Sequence, residues 1–306
     1  MFSTPIGAAR LFLGVVITLI ILKMVVGFIS GSISIWAQLA DSTLDLFAAV
    51  LTFVTIGISS KPADYEHPFG HGKMEDITAG VQGFLLFGAG GAIILSAVNR
   101  ILHGEVIQPD AGIVVMLFSM VVSIALSIHL KRVAKKYESA SLAANAQNIT
   151  GDIFSTAGVM VGLTLVRLTG RTIIDPILAI LVALLILRMA FKVLWSAIGG
   201  LLDARLPKAE EDEIIACIKE HTSQLAGFHE VRTRKSGNQR FIDLHLMLPK
   251  NTSVEEAHKM CDHLEQDIES RLPRASVTIH VEPCETTCNG CEVTPCDLRI
   301  NIGSGR

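Results

Sequence analysis

The chain has 306 residues, half of them hydrophobic, with 18% charged and a formal net charge of −3. Soluble domains carry about a quarter charged residues, so this composition leans toward a membrane solvent. The near-neutral balance gives no reason to expect a nucleic-acid partner. Charges are sparse up to Asp203 and crowd together from Ala204 onward, so the chain has two regions with different solvents.

About 20 apolar residues are needed to cross the hydrocarbon core. Six such runs follow one another: Leu11–Ser30, Ile33–Ile58, Ile77–Val98, Ala111–Leu130, Ala143–Leu168 and Ile173–Gly200. Arg10 before the first run is also the pattern of a signal peptide, but five further spans and the lack of a small-residue cleavage site argue against one. The first span carries Lys23, whose long side chain can snorkel toward the outer face. The second carries Asp41 and Asp45 mid-span, spaced i and i+4, which stacks both carboxylates on one helix face. The loop that follows reads Lys61-Pro-Ala-Asp-Tyr-Glu-His-Pro-Phe-Gly-His-Gly-Lys73. Asp64, His67 and His71 can converge there on a metal ion, since Gly70 and Gly72 permit tight turning. Solvated loop histidines are the plainer reading. Gly88, Gly90 and Gly91 of the third span allow close helix approach, as a dimer contact or as internal packing.

The fifth span repeats the polar pattern as Asn148 and Asp152. An aspartate at a helix centre costs roughly 2.5–3.5 kcal/mol on insertion scales, so three cost on the order of 8–10 kcal/mol. Facing second and fifth helices would pool Asp41, Asp45, Asn148 and Asp152 around one cation. A bound dication neutralises that cluster, and protons do so in its absence. The set is all oxygen, which favours Mn(II) or Fe(II), while Zn(II) also accepts aspartate. Internal salt bridges or packing carboxylates are the competing reading.

Orientation follows the basic residues of short loops. Arg10, Lys61, Lys73, Lys131, Arg132, Lys135 and Lys136 fall on one side, against Arg100, Arg167 and Arg171 on the other. That imbalance places both termini in the cytoplasm.

Beyond Gly199–Gly200 the pattern changes. Lys208–Gln224 reads as a helix with Ile214, Ile215 and Ile218 as its apolar stripe. A strand near His229–Arg234 and an alternating strand over Phe241–Leu248 follow, then a helix over Val254–Leu272 and a strand over Ala275–Val281. The order α-β-β-α-β suits a small α+β, ferredoxin-like domain. Six of the ten histidines fall here. His229, His245, His258, His280 and Glu282 are plausible ligands for zinc-like ions, with ordinary surface histidines as the alternative. The tail holds Cys284, Cys288, Cys291 and Cys296, a spacing suited to a thiolate metal or iron–sulfur site, or simply four free thiols in a reducing compartment. Cys217 and Cys261 lie on helices and are expected in the core. The expected boundaries are 1–203 for the membrane domain, 204–283 for the α+β domain and 284–306 for the tail.

Taken together these residues resemble the cation diffusion facilitator family. The resemblance rests on Gly31-Ser-Ile-Ser-Ile-Trp-Ala-Gln-Leu-Ala-Asp41, on Pro62-Ala-Asp64 with Phe69-Gly-His-Gly-Lys73, and on Arg232-Thr-Arg234 followed by Phe241-Ile-Asp-Leu-His245. It covers nearly the whole chain up to Cys284. It implies six transmembrane helices with a cytoplasmic metallochaperone-like domain, in a homodimeric, proton-coupled exporter of zinc, iron or manganese in the cell membrane. It puts the transport site on Asp41, Asp45, Asn148 and Asp152, and a loop site on Asp64, His67 and His71. Sites that sense metal and tighten the dimer would fall on His229, His245, His258, His280 and Glu282. Lys73 and Asp203 match positions that form a charge interlock in such transporters. Zinc-selective members usually have histidine where Asn148 stands, and the cysteine tail is outside the common pattern.

The expectation is therefore a metal/proton antiporter working by alternating access, with the divalent metal as substrate and regulator and no organic cofactor. A non-transporting metal receptor or assembly scaffold is the alternative. No G-x-x-x-x-G-K-[ST] phosphate loop and no nucleophile arrangement occur in the sequence, so no enzymatic activity is expected.

Overall fold

The computed structural model describes residues 3–30, 33–103, 112–171, 173–221 and 225–284. It divides into two compact units, Met1–Leu201 and Leu202–Arg306.

The first unit consists of helices α1 (Pro5–Ser30), α2 (Ile33–Ser59), α3 (Met74–His103), α4 (Gly112–Tyr137), α5 (Ala140–Thr169) and α6 (Ile174–Leu201). Each contains a stretch long and apolar enough to cross a membrane. Several run past their apolar spans because a helix continues once it leaves the hydrocarbon. Thus α3 begins with Glu75 and Asp76 at its positive end, and α4 ends on Lys135 and Lys136 at its negative end. Ser139 caps α5 by accepting from the Leu142 N–H, and Gly170 ends it at φ 70°, a left-handed turn that a glycine adopts without strain.

The helices pack as α3 along α6, α1 along α2, α4 along α5 and α5 along α6. Phe12, Ile56, Leu130 and Leu142 form the core between α1, α2, α4 and α5, and Leu86, Ile186 and Ala190 join α3 to α6. Phe28, Phe84, Leu95 and Trp195 stand exposed, as side chains that face lipid do. Of Gly88, Gly90 and Gly91 in α3, Gly90 has an internal packing role: a Cβ there would lie 2.9 Å from Leu187 Cδ2 on α6.

The second unit has the order α7 (Lys208–Glu220), β1 (Gly227–Ser236), β2 (Gln239–Leu248), α8 (Val254–Arg271) and β3 (Ala275–Pro283). The sheet order is β1-β2-β3, with β1 antiparallel and β3 parallel to β2. The parallel pair requires a crossover, which α8 supplies. Along β2 burial alternates with period two: Ile242, Leu244, Leu246 and Leu248 are buried, while Asp243, His245 and Met247 take the other face. Ile214, Cys217 and Ile218 of α7 and Cys261, Leu264 and Ile268 of α8 cover the apolar face. Cys217 and Cys261 are thus core thiols, as expected, and burial raises both above the ordinary thiol value.

Candidate functional site

The polar positions on α2 and α5 meet. Asn148 Nδ2 donates to Asp45 Oδ1 at 3.1 Å, and both residues are half-buried. Asp152, also half-buried, stands one turn beyond Asn148 on α5. Asp41 precedes Asp45 by one turn on α2, and its side chain lies outside the described residues. Lys23 of α1 does not snorkel outward. It is buried at 8% exposure and donates from Nζ to Ser42 Oγ at 2.7 Å, between the two α2 aspartates in sequence. An inward hydroxyl offers the ammonium a partner that the apolar outer face of α1 lacks.

The same inward faces carry further polar groups that the sequence reading passed over. Thr52 Oγ1 accepts from Gln82 Nε2 at 2.7 Å and from Asn145 Nδ2. The Thr55 and Thr78 hydroxyls lie 2.6 Å apart. Glu75 accepts from Ser59 Oγ at 3.2 Å, from Ser141 Oγ at 3.3 Å and from Ser139 Oγ. Among the described residues, Asn145 Oδ1 and Gln82 Oε1 are buried with no hydrogen-bond partner. The signal was present as helical periodicity. Asp45, Thr52, Thr55 and Ser59 share a face of α2; Glu75, Thr78 and Gln82 share one of α3; Ser141, Asn145, Asn148 and Asp152 share one of α5.

The loop before α3 brings its three expected residues together. Asp64 lies 3.4 Å from His67 Nδ1 and 3.3 Å from His71 Nε2, and the imidazole centroids are 4.4 Å apart. Gly70, at φ 77°, turns the chain back, and its N–H donates to the His67 carbonyl at 2.9 Å. The His67 backbone N–H, donating to Asp64 Oδ1 at 2.7 Å, is the main cause that holds the Asp64 carboxyl below the usual range, and the neighbouring His71 adds to it. His71 is mostly enclosed, and its Nδ1 has no partner among the described residues.

On the sheet, register sets the arrangement. His229 pairs with His245 across β1–β2, and His245 pairs with His280 across β2–β3, so three imidazoles form one row. Ring centroids are 5.1 Å apart in the first pair and 4.8 Å in the second. Glu282 accepts from His229 Nε2 at 3.0 Å and His245 Nδ1 at 2.9 Å, and these two bonds lower its carboxyl below the ordinary value. Its Oε1 also lies 3.7 Å from His280 Nε2. A bulge between His229 and Arg232 puts Glu230 at φ 50° and 3.7 Å from His245 Nε2. His258 is not brought to this row: it pairs with Asp262 on α8 at 3.5 Å, in the helical layer on the other side of the sheet.

A cluster absent from the sequence reading sits in that helical layer, where His221, His263 and Asp267 each bring a ligand atom within 4.8 Å of the others. The four-cysteine pattern of the tail lies outside the described residues beyond Cys284. Lys73 Nζ donates to the Leu201 carbonyl at 3.4 Å in the first unit, and Asp203 pairs with Arg234 at 3.5 Å in the second.

The sequence is similar to known proteins over almost this whole length. The family model of the cation efflux transmembrane domain matches residues 9–202, and that of the cation efflux protein cytoplasmic domain matches residues 206–284. An uncharacterized transporter of Synechocystis sp. is 32% identical over 281 residues, covering 92% of this chain and 88% of that protein. The cation-efflux pump FieF of Salmonella typhi is 32% identical over 267 residues, covering 87% of this chain and 88% of that one. The metal-bound C-terminal domain of the CzcD transporter from Thermotoga maritima is 27% identical, with a TM-score of 0.24, over 26% of this chain and 94% of that domain. With six helices fit to span a bilayer, this is a multi-pass membrane protein of a transporter family and not an enzyme. The chain belongs to the cation efflux, or cation diffusion facilitator, family of divalent-metal transporters.

Proposed function

We propose that this cation efflux transporter exports a divalent transition metal in exchange for protons, with Asp41, Asp45, Asn148 and Asp152 as its transport site. The observation that carries the reading is the 3.1 Å contact of Asn148 with Asp45, which joins α2 to α5 at the level of the membrane carboxylates. Oxygen donors favour Mn(II) or Fe(II) and accommodate Zn(II). Metal enters from the cytoplasmic side, past the loop group Asp64, His67 and His71, and neutralises the aspartates. A rocking of the helices opens the site to the other side, where protons replace the ion on the carboxylates. The polar row from Asp45 toward Ser59 supports a hydrated approach from the loop side.

The molecule works as a homodimer in the cell membrane with both termini in the cytoplasm. The basic end of α4 supports that orientation. The row of His229, His245 and His280 with Glu282 serves as the metal-sensing surface of the C-terminal unit. Flux of Mn(II), Fe(II) and Zn(II) into proteoliposomes under an imposed pH gradient tests the transport site. Asp45→Ala and Asp152→Ala should abolish metal-driven proton movement. Wild-type flux in either variant overturns the assignment.

A further inference from the structure

His221 ends α7, with its N–H on the Ile218 carbonyl at 3.1 Å. His263 and Asp267 stand at i and i+4 on α8, on one helix face. His221 Nδ1 lies 3.0 Å from the Cys217 carbonyl, which can only accept, so in the neutral ring the proton sits on Nδ1 and Nε2 offers a lone pair. That Nε2 faces Asp267 Oδ2 at 3.1 Å. Two electron-rich atoms at this distance require a positive species between them. A proton would satisfy one such pair. Here a third donor addresses the same oxygen, because His263 Nε2 lies 3.7 Å from Asp267 Oδ2 and its ring stands edge-on to His221 with centroids 5.2 Å apart. The three ligand atoms lie within 4.8 Å of one another, a grouping that one metal ion can occupy.

We propose that His221, His263 and Asp267 form a further divalent-metal site, of zinc-like preference, that clamps the end of α7 to α8. Tetrahedral zinc with ligands at 2.0–2.1 Å places donor atoms roughly 3.3 Å apart, and the 3.1 and 3.7 Å separations bracket that spacing. Two imidazole nitrogens and one carboxylate oxygen select Zn(II) or Co(II) over Mn(II). Further features fit a cation. The Cys217 carbonyl orients His221 from outside the ligand set, as ligating histidines require. The carbonyl end of α7 adds negative potential. His221 is 11% exposed and His263 61%, so the group is anchored on its inner side and open outward for a water as fourth ligand. The site lies in the helical layer, apart from the histidine row on the opposite face of the sheet, and does not rest on the transport reading.

The test uses the full-length chain, purified in detergent and stripped of metal, with Zn(II) binding counted by equilibrium dialysis. His263→Gln and Asp267→Asn should each lose about one Zn(II) per chain, and the loss should add to that of Glu282→Gln on the sheet face. Zinc should also raise the unfolding temperature of the wild type more than that of His263→Gln. If His221 and Asp267 are only an ion pair, the exposed His263 is dispensable. Wild-type zinc stoichiometry and affinity in His263→Gln, with unchanged far-ultraviolet circular dichroism, would then overturn the site.

Discussion

Asn148 Nδ2 donates to Asp45 Oδ1 across the α2–α5 interface, so one carboxamide holds a carboxylate of the proposed transport site. The amide oxygen is a harder donor than an imidazole nitrogen, so under the proposed transport reading this position sets ion choice. Asn148→His should move the preference toward Zn(II) and away from Mn(II). A competition flux assay with both ions checks this; an unchanged Mn(II) to Zn(II) ratio would reject it.

Lys23 places a buried ammonium on Ser42, whose neighbours along α2 are Asp41 and, one turn on, Asp45. At the proposed transport site a fixed cation at this level would compete with the metal for the same negative potential. Lys23→Met should bind Mn(II) more tightly and release it more slowly, lowering turnover. Equal affinity in the variant and the wild type, measured by titration calorimetry, would show that the ammonium plays no part in binding.

Thr52 accepts hydrogen bonds from both Gln82 and Asn145 and is fully buried. Thr52→Val keeps the shape but leaves two amide donors without an acceptor, at about 1–3 kcal/mol for each. The unfolding midpoint in detergent should fall clearly in this variant, whereas Thr52→Ser should stay near the wild type. A valine variant as stable as the parent would mean that other groups satisfy the two amides.

The start of α8 carries a capping box in which the Ser253 N–H donates to Glu256 at 2.9 Å and the Glu256 N–H donates to Ser253 Oγ at 3.2 Å. The backbone N–H and hydroxyl of Ser253 hold the Glu256 carboxyl below its ordinary value. A depressed folded value stabilises above the unfolded value and is lost as pH falls through the folded one. Ser253→Ala should therefore cost about 1 kcal/mol at neutral pH. The gap should narrow below about pH 4, where glutamate protonates. Denaturant melts across that range measure it, and a gap independent of pH would exclude a contribution from the bond between the Ser253 hydroxyl and the Glu256 carboxylate.

Much of the architecture was legible because each part answers to its solvent. Lipid selects the six apolar runs, and the period-two burial of β2 follows from one face meeting α7 and α8. Asp45 and Asp152 stood out for the converse reason: a carboxylate within an apolar span is costly. Helix ends were less legible, since α3 and α4 continue past the lipid on residues whose hydropathy no longer reports helix.

Local pattern alone determined which residues lie in lipid, which in the sheet core, and which helices carry the acids. Only the tertiary structure decided which of those side chains meet. Strand register aligned His229, His245 and His280 and left His258 on the other side of the sheet. Helix packing turned Lys23 inward, enclosed Glu75 among three serines, and brought His221 to His263 and Asp267. Hydrophobic periodicity records the environment of each face separately. The distance between two faces depends on register, crossover and packing, which are properties of pairs of elements distant along the chain.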